Sequence, residues 1–149
     1  MFAPSRDQVR QFFFDVWAKY RAGQPLAGAE QPALEVVLAH PEYHPLLEAP
    51  ERHRERDYPP EAGETNPFLH LSMHLALAEQ LAIDQPHGLR ERYQRLLARH
   101  GDAMRAQHAV IDCLGETLWR AQHVQSHFDE KVYIACLDRQ LGEGEADHK

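Results

Sequence analysis

His70 and His74 stand four residues apart in the segment Asn66-Pro67-Phe68-Leu69-His70-Leu71-Ser72-Met73-His74. Four residues is one helical turn, so on a helix the two imidazoles share a face. Their neighbours Phe68, Leu69, Leu71, Met73, Leu75, Leu77, Leu81 and Ile83 are apolar. A helix apolar on nearly all sides is a buried helix, and buried imidazoles need partners. A metal ion is one partner; a hydrogen-bond network is the other. Asp84 shares the stripe but lies ten residues beyond His74, about 15 Å along the axis. It is read as capping a neighbour or ending the helix.

A second polar stripe is predicted on a later helix. His108, Asp112, Glu116 and Trp119 fall within about 80° of one another at 100° per residue. Gly115 lies on that side, where a missing side chain admits another backbone or an ion. If the two helices pack side by side, His70, His74, His108 and Glu116 supply nitrogen and oxygen ligands to one divalent metal: zinc, iron, manganese or nickel. His40, Glu42 and His44, from a proline-bounded turn, are further ligand candidates. Three protein ligands and an open position make a catalytic centre. Glu116 is then a fourth ligand or a general base, and Asp112 a carboxylate that fixes an imidazole tautomer.

This chemistry points to a helical metal-binding protein, a metal-dependent hydrolase or transferase. The alternative is a non-enzymatic binding or adaptor module whose His/Asp/Glu network orders the core. The chain lacks the His-Glu-x-x-His of zinc proteases and the paired Glu-x-x-His of di-iron bundles. It has no glycine-rich phosphate loop, and Ser72 has no nucleophile elbow.

The elements that must position these residues are helices. Val9, Phe12, Phe13, Val16, Trp17 and Tyr20 recur at helical spacing from about Ser5 to Arg21, before Gly23 and Pro25. Further helices are expected over about 30–39, 66–84, 88–100, 103–122 and 130–141. Asn66 is the cap and Pro67 the first helical residue of the third. His40-Pro41-Glu42-Tyr43-His44-Pro45 has room for a single turn, and residues 50–65 read as a loop. No stretch alternates cleanly between apolar and polar residues. The expected architecture is all-α, a compact single-domain bundle of about five to six helices over residues 1–141. A disordered polar tail is expected over 142–149.

Composition narrows the function classes. One domain of ordinary size fits 149 residues, and eleven histidines are many for that length. The formal net charge of −7 argues against nucleic acid or an acidic membrane as partner. The apolar run from Phe68 to Ile83 carries two histidines, Glu79 and Gln80, a poor membrane span. Cys113 and Cys136 form neither a metal motif nor a disulfide framework, so they are read as buried free thiols of a reducing compartment. The first residues lack a basic start followed by a long apolar stretch. The expected location is cytoplasmic.

The chain also resembles an uncharacterised bacterial family, domain of unknown function 1841. The matching stretches are 4–10, His40-Pro41-Glu42-Tyr43-His44, the Asn66 to His74 string, Glu79-Gln80, Asp84-Gln85-Pro86 and Cys113-Leu114-Gly115-Glu116. The resemblance implies a small cytoplasmic bacterial protein and supplies no activity. The three-histidine metal bundles of the DinB-like superfamily are similar in a looser sense. They hold a divalent metal with a His-x-x-x-His pair and one more histidine, the places of His70, His74 and His108.

Overall fold

Ser5 opens the first helix with a reciprocal cap. Its hydroxyl accepts the Gln8 amide at 3.2 Å, and the Gln8 side-chain oxygen accepts the Ser5 amide at 2.8 Å. The computed structural model describes residues 5–58, 66–125 and 127–142, and every regular element among them is helical. Eight α-helices follow in order: α1 (Arg6–Arg21), α2 (Glu30–Leu38), α3 (His44–Leu47), α4 (Pro50–His53), α5 (Pro67–Ile83), α6 (Leu89–His100), α7 (Ala103–Arg120) and α8 (Glu130–Gln140). A 3₁₀ turn covers Pro41–Tyr43, and a π turn over Ala121–Gln125 follows α7.

Eight helices replace the five to six expected. The six long ones stand where periodicity put them. The two extra ones, α3 and α4, are four residues each and lie in the proline-rich stretch expected as turn and loop. Both begin with a proline in their first two positions, where its missing N–H costs nothing. Residues 59–65 of the expected loop and 143–149 of the expected tail lie outside the described residues.

The chain divides into two compact units, residues 1–75 and 76–149, with the division inside α5. In the first unit α1 packs on α2 and α3. Phe13, Phe14, Val16, Trp17, Val37, Leu47, Phe68 and Leu71 form its core. Arg10 is buried in the same unit. Its Nη1 donates to the carbonyls of His53, Arg54 and Arg56 at 3.1, 3.1 and 2.7 Å, and its guanidinium sits 4.7 Å from the Phe68 ring centre. One charged side chain thus satisfies the carbonyls where α4 ends, in place of water.

In the second unit α7 packs against both α6 and α8. Leu77, Leu89, Leu96, Val110, Leu114, Tyr133 and Leu137 are buried there. The Tyr133 hydroxyl donates to Gln80 Oε1 at 2.7 Å, and burial pushes its pKa up. Asp84 ends α5 with φ of 53°, in the left-handed region, and its carboxylate accepts the amides of Gly88 (3.3 Å) and Arg90 (2.9 Å). Arg90 reciprocates by donating to the carbonyls of Leu81 and Ala82. Each of the two helix ends receives its opposite charge.

The cysteines depart from expectation. Cys113 on α7 and Cys136 on α8 are joined as a disulfide, not kept as free thiols. Each sits on the apolar face of its own helix, and the packing of α7 on α8 brings those faces together. The free-thiol argument for a reducing compartment therefore falls away. No helix among the described residues is long and apolar enough to cross a membrane.

Candidate metal centre

The apolar surroundings of His70 and His74 do their work through α5. Asn66 caps it, its Oδ1 accepting the amides of Phe68 (3.0 Å) and Leu69 (3.2 Å). Phe68 and Leu71 then enter the first core, while Leu69 and Ile83 remain exposed at 57% and 66%. So the helix is buried on one side rather than all round. His74 is buried at 2% exposure and His70 is half-buried. Their Nε2 atoms are 3.2 Å apart.

His40 joins them from another element. It follows α2, and its Nδ1 lies 2.8 Å from the Val36 carbonyl, one of the carbonyls a helix end leaves unpaired. A carbonyl only accepts, so in the neutral ring Nδ1 carries the hydrogen and Nε2 keeps its lone pair. His40 is 2% exposed, and its Nε2 is buried with no hydrogen-bond partner. The His40 ring centre is 4.5 Å from that of His74 and 5.1 Å from that of His70, edge to face in both cases. One ring nitrogen from each of the three histidines lies within 4.8 Å of the others.

Tyr43 walls the cluster, stacked on His40 at 5.7 Å and edge-on to His70 at 6.2 Å. Burial first, and the Glu42 charge second, push its pKa up, so it stays a neutral phenol. Sequence reasoning did not single Tyr43 out. Its spacing of three from His40, across Pro41, was the available signal.

The other sequence candidates are placed by their own elements. His44 Nε2 is 2.8 Å from the Val37 carbonyl, and its ring packs on Trp17 at 4.4 Å, so it caps α2 beside its neighbour's cap. Glu42 is exposed on the 3₁₀ turn. Ser72 donates back to the Phe68 carbonyl at 2.7 Å. His108 is half-buried on α7 in the second unit, and Asp112 one turn on is exposed. Glu116 leans the other way along α7. Its carboxylate is 3.5 Å from Arg120, 4.0 Å from Arg139 and 3.8 Å from Cys136 Sγ.

The nitrogens gathered in the first unit are all imidazole. A neutral, borderline-soft donor set of this kind suits zinc, iron, nickel or copper, and suits the hard cations magnesium and calcium poorly. A tetrahedral ion with metal–nitrogen bonds of about 2.0–2.1 Å places its ligand nitrogens about 3.3 Å apart. The His70–His74 separation is close to that edge.

Comparison with characterised proteins and with solved structures gives no significant match. The family model described as domain of unknown function (DUF1841) matches residues 5–139, nearly the whole described chain, and this protein belongs to that family.

Proposed function

We propose that the protein binds one divalent transition-metal ion through His40, His70 and His74. The observation that carries the reading is His40: a fully buried imidazole whose Nδ1 is held by a backbone carbonyl and whose Nε2 has no partner. An imidazole oriented through one nitrogen, with the other left for an ion, is the usual arrangement of a metal-ligating histidine. Leaving a buried acceptor unsatisfied otherwise costs roughly 1–3 kcal/mol.

Three histidines leave a further coordination position. An ion held by these histidines would supply an activated water there, the chemistry of a hydrolase or transferase. Glu116 is left out of the ligand set because its carboxylate is matched by two arginines.

A second reading has one observation in its favour. At 3.2 Å the His70–His74 contact is also a hydrogen-bond distance, as a structural network in a binding or adaptor module requires. Elemental analysis separates the two. Protein purified without a His-tag or chelating resin is expected to carry metal, or to take up one equivalent of zinc. The paired variant His70→Ala/His74→Ala should take up none. A wild-type protein that binds no zinc, nickel, iron, copper or manganese at micromolar concentration establishes the network reading instead.

A further inference from the structure

The Cys113–Cys136 disulfide ties α7 to α8 across 23 residues of sequence, and its two sulfurs have unequal surroundings. Cys113 is fully buried, at 0% exposure. Cys136 reaches 6% and lines a surface depression of about 280 Å³ with Glu116, Arg139 and Gln140. Glu116 Oε1 is 3.8 Å from Cys136 Sγ, and the same carboxylate lies 3.5 Å from Arg120 and 4.0 Å from Arg139. Two half-exposed guanidiniums flank that one carboxylate, so the three side chains together carry a net positive charge, and Arg139 also lines the depression. Such a group attracts thiolates, the form of a thiol that attacks a disulfide.

We propose that Cys136 is a thiol-exchange site for small anionic thiols, with Cys113 as the leaving sulfur. An incoming thiolate forms a bond to Cys136 Sγ while the Cys113–Cys136 bond breaks. The electron pair of that bond goes to Cys113, which takes a proton from water. A second molecule of the same thiol, as its thiolate, attacks the incoming sulfur of the mixed disulfide and releases Cys136, which is protonated in turn. Two external thiols are oxidised to one disulfide, and the cysteine pair is reduced to two thiols. In the reverse direction, with an external disulfide as oxidant, Glu116 is placed to accept the Cys136 proton. The direction of attack follows from access: only Cys136 borders open space.

Glutathione, which is net negative, and cysteamine, which is positive, are the probes, compared at equal thiolate concentration on the folded oxidised protein. Glutathione should reduce the bond several-fold faster, with the helical circular-dichroism signal retained. Acid quenching and peptide mapping should find the trapped glutathione on Cys136. With oxidised glutathione, Cys113→Ser should form the mixed disulfide at least about tenfold faster than Cys136→Ser. Trapping on Cys113, equal rates for the two single-cysteine variants, faster reduction by cysteamine, or reduction only in denaturant each overturns the proposal. If either variant fails to fold, the mapping on wild-type protein decides alone.

Discussion

His70 Nε2 and His74 Nε2 face each other at 3.2 Å, one turn apart on α5. Helix geometry makes that separation easy, since side chains at i and i+4 stack on one face. What makes it consequential is the third ring. His40 arrives from the end of α2 with one nitrogen already engaged by Val36 and the other buried. Two of these rings by themselves are a common helical pair; three converging rings are what the proposed metal site requires.

The metal affinity should depend on pH in a defined direction. Protons compete with the ion for the imidazole lone pairs, so affinity falls as pH drops from about 7 to 5. Calorimetric zinc titrations at both pH values check this. A chelator-induced drop in Tm should be present at pH 7, shrink at pH 5, and vanish in the His70→Ala/His74→Ala protein at either pH.

Arg10→Met should be among the most damaging substitutions in the first unit. It removes the shared donor of three carbonyls and the cation over Phe68. The expected loss is about 2–3 kcal/mol, the scale of hydrogen bonds to a charged group. Urea denaturation measures it, and Arg10→Lys should recover only part, because an ammonium lacks the planar fork.

Asp84 links stability to pH. The Arg90 amide first, and then the Gly88 amide and nearby cationic groups, hold its carboxyl below the ordinary value of 3.8, against a smaller opposing effect of burial. A carboxyl depressed in the folded state contributes stability that is fully present above the unfolded pKa. That contribution is lost as pH falls through the folded pKa. Asp84→Ala should therefore lower Tm at pH 7, and the gap to wild type should narrow as pH falls from about 5 to below 3. Asp84→Asn, which tolerates the left-handed backbone and keeps an acceptor, should lose less. A gap that stays constant across that range would contradict this account of the cap.

Reducing the Cys113–Cys136 bond should destabilise the second unit. Cross-linking a loop of this size contributes about 3 kcal/mol in the chain-entropy view. Melts with and without a reducing agent should differ accordingly, and the Cys113→Ser/Cys136→Ser protein should not respond to reductant.

The sequence by itself determined the six long helices, the Asn66 cap, and the common face of His70 and His74. Those features are local: a period of 3.6, a cap or a proline acts over four residues or fewer, and its signal is written in neighbouring letters. Even the role of Asp84 was legible, because its distance from His74 excluded a shared ion. Only the tertiary structure decided which residues meet across long separations. His40 lies thirty positions before His70, and its placement depends on α2, the Pro41 turn and α5 packing on one core. His44, four residues on and chemically equivalent in the sequence, turns instead to the Val37 carbonyl. The pairing of Cys113 with Cys136 was equally hidden, since each lies on an ordinary apolar face. Their distance depends on how α7 and α8 pack, which no local pattern specifies. Glu116 carried the right chemistry for a ligand, but packing surrounded its carboxylate with Arg120, Arg139 and the disulfide. Contacts of this kind are selected by the joint burial of many side chains, a property of the folded core that no segment of the chain carries alone.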